Sequence, residues 1–162
     1  MLVRAIALPY ANYEGLDIQK LVRDQPELLN SACFVSILVS MSENRPQEWV
    51  VPRDNPRCLT LFYDDIHSES HKHYPLAAIR SARQMTDAMA LEIVEFLRRN
   101  HERPEPEVLY VNCAAGISRS GAVVTLAREM FGMCPEQFRA DNKRIKPNDI
   151  QLPMLRRAAG LV

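Results

Sequence analysis

A cysteine and an arginine six positions apart mark the stretch of this sequence with the clearest chemical meaning. Residues 111–124 read VNCAAGISRSGAVV, so Cys113 is followed by Gly116, Arg119 and Ser120. A thiolate is a strong nucleophile, and the planar guanidinium group of arginine can hold two oxygens of a phosphoryl group at once. The spacing therefore predicts an anion-binding loop built around a nucleophilic cysteine.

The flanking residues predict a strand before this loop and a helix after it. Residues 107–112 form a β-favouring apolar run, and residues 120–130 carry apolar side chains at helical spacing. The loop then lies at a helix N-terminus, where unpaired amide groups and the helix dipole favour an anion and a thiolate. A positive φ at Gly116 would let successive amides converge on one ligand. The residues expected to bind phosphate are Ala114, Ala115, Gly116, Ile117, Ser118 and Arg119.

At these positions the chain resembles the cysteine-dependent protein tyrosine phosphatases, most closely their small dual-specificity branch. The signature of that branch is His-Cys-x-x-Gly-x-x-Arg-Ser/Thr followed by a helix, and Cys113, Gly116, Arg119 and Ser120 match it. The chain departs from the signature at Asn112, where the family has a histidine that helps to order the loop and to keep the thiol ionised. Asparagine donates hydrogen bonds but cannot titrate, so the substitution implies a less favoured thiolate and slower turnover.

A second segment is similar to the same family. Residues 143–149 read KRIKPND and resemble the family's C-terminal Arg-x-Ile-x-Pro-Asn motif, which precedes the closing helix. Taken alone, the segment also predicts a simple turn with a helix start at Asn148. Both interpretations can hold together.

Phosphoryl transfer also needs a proton donor for the leaving oxygen. Residues 57–63 form an apolar β-like run that ends in Asp64 and Asp65. In related phosphatases a strand of this kind brings the general acid to the edge of the sheet where the cysteine loop lies, and the pattern favours Asp65. Strand alternation turns Asp64 to the other face, and Asp64 stays the alternative acid. A solvated turn is the competing structural explanation for the pair.

Composition bounds the class of protein. The chain has 162 residues, is 47% hydrophobic and has a formal net charge of zero, which predicts one domain over residues 1–162 and no general attraction to nucleic acid or membrane. Its four cysteines show no close pairs, which indicates a reducing, cytoplasmic setting. No apolar stretch reaches the length of a membrane span.

The remaining pattern predicts a single α/β domain in which helices flank a small central, mainly parallel sheet, as in the dual-specificity phosphatases. The expected strands are residues 2–8, 32–39, 59–63 and 107–112, and the expected helices are residues 16–24, 84–100, 120–130 and 134–144 with a last one from Asn148. Residues 43–56 are polar, contain three prolines and are expected to form a loop.

Three other functions compete with phosphatase catalysis. The cluster of His67, His71 and His73 could share a metal ion, although a loop bordering the pocket is the simpler interpretation. A rhodanese-type sulfurtransferase also places a cysteine at the start of an anion-binding loop. A pseudophosphatase would bind phosphorylated partners without turnover, as Asn112 suggests, and Cys113 could also be an inert buried thiol.

The function that fits best is a metal-independent phosphomonoesterase without cofactor. The resemblance implies that Cys113 forms a thiophosphoryl-cysteine intermediate while Arg119 holds the transferring group, with Asp65 as acid and then base and Ser120 assisting departure of the thiolate. The phosphate loop contains no lysine, which favours a phosphorylated protein or peptide over a polyanionic lipid or RNA.

Overall fold

Four parallel strands form the centre of the protein. The structure is a computed structural model in which residues 1–11, 17–43 and 51–162 are described. The strands are Arg4–Pro9 (β1), Cys33–Leu38 (β2), Cys58–Phe62 (β3) and Val108–Cys113 (β4), and their order in the sheet is β1-β4-β2-β3. The strand before the cysteine loop therefore lies inside the sheet, as its continuous apolar run indicates. The predicted α/β class with a parallel sheet is confirmed.

The helices lie between and after these strands. Their bounds are Ile18–Asp24 (α1), Leu28–Ser31 (α2), Leu76–Ser81 (α3), Asp87–His101 (α4), Arg119–Phe131 (α5), Pro135–Asp141 (α6) and Gln151–Ala159 (α7). Short 3-10 turns occupy Ser40–Ser42 and Ser70–Lys72. Among the described residues, no helix is long and apolar enough to cross a membrane.

Strand alternation divides the apolar side chains between two clusters. In β4, Leu109, Val111 and Cys113 belong to the larger core, which contains the buried sides of α4, α5 and α7. On the other face, Phe34 packs in a smaller cluster with Ile18 of α1. Because Cys113 ends β4 on the side of the larger core, the loop that follows it leads directly into the buried helix α5.

Side-chain hydrogen bonds place two helix ends at residues other than those that the sequence pattern predicted. Helix α4 begins three residues later than expected because the Thr86 hydroxyl accepts the amide of Met89 and caps the helix. Helix α6 ends at Asp141 instead of residue 144, because the Asn142 side chain leaves the helix to bond Ala5 O and Ala7 N of β1.

Two short helices were missed, and other expectations fall partly outside the described residues. Helix α2 has four residues, and helix α3 contributes no buried side chain, so neither produces an apolar stripe of useful length. Helix α1 lies within the predicted 16–24, of which residue 16 is outside the described residues. Residues 44–50 of the predicted loop 43–56 are also outside them.

Candidate active site

The nucleophile candidate Cys113 is buried at the end of β4. Its Sγ lies 3.2 Å from Oγ of Ser120, which is also buried in the first turn of α5. At this distance the hydroxyl can donate a hydrogen bond to a thiolate or to a sulfur that is leaving phosphorus. The strand-loop-helix arrangement predicted around Cys113 is thus present, with the helix one residue longer at each end.

The loop between Cys113 and α5 fits against β1 only because residue 116 is glycine. Gly116 has φ of 69°, and a Cβ there would lie 2.5 Å from both Leu8 C and Pro9 N. Within the described part of the chain, the amide groups of residues 114–118 donate no hydrogen bond to other protein atoms. These donors are therefore available for an anion in the concavity of the loop.

Arg119 is buried, and its Nε has no partner among the described residues. Its Nη1 donates to the carbonyl oxygen of Tyr63 at 2.8 Å, which fixes the guanidinium beside the end of β3. Its Nε is buried and has no hydrogen-bond partner among the described residues. A buried cation with an unpaired donor costs free energy until an anion arrives, so this arrangement favours the binding of an oxyanion.

The predicted acid Asp65 contacts Ser118 of the loop and Asn148 of the Pro-Asn segment, and the sequence did not reveal either contact. Its Oδ1 accepts hydrogen bonds from Oγ of Ser118 at 2.7 Å and from Nδ2 of Asn148 at 2.9 Å. The Oδ1 of Asn148 in turn accepts the amides of Ile150 and Gln151, both at 3.0 Å, and so begins α7. The Pro-Asn segment thus starts a helix, as expected, and it also joins the segment of Asp65 to Ser118 at the end of the cysteine loop.

Comparison with known proteins gives matches of structure and not of sequence. No protein-family model and no curated protein matches the sequence. Among solved structures, the Cydia pomonella PTP-2 phosphatase matches at 17% identity over 97% of this chain and 84% of that one, with a TM-score of 0.56. PTPMT1 in complex with PI(5)P matches at 16% identity over 98% and 91%, with a TM-score of 0.54. The human tyrosine phosphatase-like serine/threonine/tyrosine-interacting protein matches at 19% identity over 86% and 84%, with a TM-score of 0.50.

The chain has the fold of the cysteine-dependent protein tyrosine phosphatases. In this phosphatase fold, Asp64 is engaged in holding segments together. Its carboxylate accepts hydrogen bonds from Ser40 N at 2.9 Å, Ser40 Oγ at 2.6 Å and Arg83 N at 2.8 Å. Burial opposes its ionisation, but these hydrogen bonds and the charge of Arg119 outweigh burial and hold the pKa of Asp64 below its usual range. Such a carboxylate is a poor proton donor.

A pocket lined by Asp64, Asp65 and an apolar wall leads to Arg119. It has a volume of about 220 Å³. The lining residues are Val39, Asp64, Asp65, Ile66, Tyr74, Ala78, Ile79 and Arg119. Residues after β2, after β3 and in α3 therefore meet Arg119, the first residue of α5, at the carboxyl ends of the parallel strands, as is usual in open α/β sheets.

Asn112, where the chain departs from the phosphatase signature, has a hydrogen-bond partner on the neighbouring strand. Asn112 and Ser36 are register partners on β4 and β2, and Ser36 Oγ donates to Asn112 Oδ1 at 2.6 Å. The Nδ2 of Asn112 is buried and has no hydrogen-bond partner among the described residues. In the phosphatase fold seen here, an uncharged amide thus stands directly before the nucleophile in place of an ionisable imidazole.

The described residues that line this pocket include no cysteine and no histidine. Burial raises the pKa of Cys33 to about 12 and that of Cys58 to about 11, which makes both inert core thiols. His71 Nδ1 lies 3.0 Å from Ser68 O, in the loop that precedes α3. Among the described residues, no three His, Cys, Asp or Glu side chains lie together as a metal ion would require.

Proposed function

We propose that this protein is a cysteine-dependent phosphomonoester hydrolase that acts on phosphorylated proteins or peptides. The observation that carries the proposal is the buried Arg119, whose Nε lacks a partner among the described residues while its Nη1 is anchored on Tyr63 O. An incoming phosphoryl group would supply the missing acceptor. Cys113 contacts Ser120, the residue after Arg119, and Asp65 lines the same pocket as Arg119, so we assign them as nucleophile and proton donor.

In the first step, the Cys113 thiolate attacks phosphorus and the bond from phosphorus to the leaving oxygen breaks. Asp65 gives its proton to that oxygen, so the product leaves as an alcohol or phenol. Arg119 and the free amides of residues 114–118 hold the three equatorial oxygens as charge spreads over them. Ser118 and Asn148 act as positioning residues, because they fix the carboxyl group of Asp65 against the loop.

In the second step, water hydrolyses the thiophosphoryl-cysteine. The Asp65 carboxylate accepts a proton from the attacking water while the sulfur-phosphorus bond breaks, and orthophosphate is released. Ser120, 3.2 Å from Cys113 Sγ, donates a hydrogen bond to the departing thiolate. No metal or cofactor has a role in either step.

The proposal is tested by hydrolysis of para-nitrophenyl phosphate with chelator and reductant present, for the parent protein beside Cys113→Ser and Asp65→Asn. We expect Cys113→Ser to lose all turnover and to retain vanadate or phosphate binding, because Arg119 and the loop amides are unchanged. A Cys113→Ser protein with full activity would refute the mechanism.

A second candidate function is phosphate binding without turnover, and Asn112 favours it. Asn112 cannot supply the ionisable imidazole that the phosphatase signature places before its cysteine. A parent protein that binds vanadate and hydrolyses no phosphoester would have this function. In that case Asn112→His should restore turnover, with Ser36→Ala as a matched change on the neighbouring strand that adds no imidazole. A rhodanese-type activity is tested separately by transfer of sulfur from thiosulfate to cyanide.

A further inference from the structure

Two large apolar side chains that line the pocket leading to Arg119 are exposed, and a further exposed apolar side chain follows each of them two residues later in the chain. We call them the apolar rim: their exposed fractions are 41% for Val39, 71% for Met41, 57% for Tyr74 and 58% for Leu76. Val39 and Tyr74 line the pocket itself together with Asp65 and Arg119. Exposed apolar side chains that are grouped beside a cavity indicate a binding surface, whereas single ones need no explanation.

Helix α3 presents its apolar face to this pocket and to solvent. None of its side chains is buried, although Ile79 and Ala78 line the pocket. Leu76 lies one turn before Ile79 and therefore on the same face of the helix. The helix is nevertheless fixed at both ends. After it, Arg83 N donates a hydrogen bond to the Asp64 carboxylate, and before it, Tyr74 N donates one to Ser70 O. A helix that is held in place with its apolar face uncovered is better suited to binding a ligand than to packing in the core.

The charges of the residues that line the pocket restrict the charge that a bound peptide can have beside its phosphoryl group. Of the described residues that line it, Arg119 is the one cation, and a bound phosphoryl group would use it. Asp64 stays beside the pocket as a carboxylate held by Ser40 and Arg83. Arg83 pairs with Glu43, and Arg80 does not line the pocket. An acidic residue next to the phosphorylated one would therefore face a carboxylate without a compensating cation.

We propose that the apolar rim is a specificity site for the peptide that carries the phosphoryl group. It holds an aliphatic or aromatic side chain directly beside the phosphorylated residue and discriminates against acidic neighbours. The continuity of the rim with the pocket of Asp65 and Arg119 favours this occupant over a partner bound elsewhere. The inference rests on the proposed function, since it names the substrate class of the same site.

The test measures binding to the Cys113→Ser protein, in which substrate accumulates without turnover. Two phosphotyrosine peptides of equal length are compared, one with leucine on both sides of the phosphotyrosine and one with aspartate there. We expect the leucine peptide to bind about tenfold more tightly, as partial burial of one or two apolar side chains would give. Adding Tyr74→Ser and Leu76→Ser should reduce this preference to about twofold or less. The matched control is Leu91→Ser on α4, which is 46% exposed, lies outside the pocket and should keep the preference.

Equal or tighter binding of the aspartate peptide would overturn the proposal, as would a preference that survives Tyr74→Ser with Leu76→Ser. Binding of the parent to neutral phosphatidylcholine vesicles, lost in that variant, would assign the rim to a membrane and overturn the peptide proposal. A dimer that the same variant dissociates would assign it to a second copy of the chain and do likewise. Failure of the proposed function gives different results: without a phosphate site, neither phosphopeptide nor vanadate would bind to Cys113→Ser, and without catalysis alone, the parent would bind both and hydrolyse no phosphoester.

Discussion

Replacement of Gly116 by alanine tests the close approach of the cysteine loop to β1. The added Cβ would lie 2.5 Å from Leu8 C and Pro9 N, whereas carbon atoms pack at about 3.5–4.0 Å. Both contacts are backbone atoms at the end of an edge strand, so the loop and β1 must separate by about 1 Å. Overpacking of this kind costs about 1–3 kcal/mol. The positive φ of 69° adds about 1–2 kcal/mol for a residue with a Cβ.

The expected loss is therefore about 2–5 kcal/mol of unfolding free energy, a large share of the usual stability of a domain. Gly132→Ala is the matched control, because its φ is 61° and no atom lies within 4 Å of the added Cβ. Urea denaturation of both variants separates the cost of the contact from the cost of positive φ. Vanadate binding should also weaken in Gly116→Ala and not in Gly132→Ala. If the two variants lose equal stability, the packing of the loop on β1 is not as described.

Other predictions concern the residues around the acid. Asp65→Asn should lower kcat by about 10²–10⁴-fold for a phosphopeptide and less for para-nitrophenyl phosphate, whose leaving group needs less protonation; equal losses for the two substrates would contradict the role of Asp65. Asn148→Ala should cost about 1–2 kcal/mol by removing the cap of α7, and should also lower kcat with little change in KM; an unchanged kcat would mean that Asp65 does not depend on it. Asp64 has a lowered pKa in the folded protein, so its contribution to stability is present above the unfolded pKa and is lost as pH falls through the folded pKa. Stability measured between about pH 2 and 6 should consequently fall less steeply in Asp64→Asn than in the parent, and an unchanged slope would contradict the hydrogen bonds from Ser40 and Arg83.

Local sequence determined much of this protein, because its signals act between near neighbours. The apolar run before Cys113 and the helical spacing after it predicted the strand, loop and helix that the structure contains. The residue types of Cys113, Gly116 and Arg119 indicated an anion-binding loop, since a thiolate, a positive φ and a guanidinium fork each do something that few other residues can. The preference for Asp65 over Asp64 came from the resemblance to the phosphatase pattern, and strand alternation added only that the two side chains face opposite ways.

Tertiary structure decided how these parts meet. Ser118 and Asn148 hold Asp65 across 53 and 83 positions of the chain, and no periodicity reports contacts at that separation. The pairing of Ser36 with Asn112 depends on the register of two strands that are far apart in sequence. Helix α3 escaped prediction because its six residues are too few to give an apolar stripe of useful length. The residue types of the loop thus indicated its chemistry. Asp65, the pocket wall and the apolar rim, in contrast, come together only when the sheet has formed.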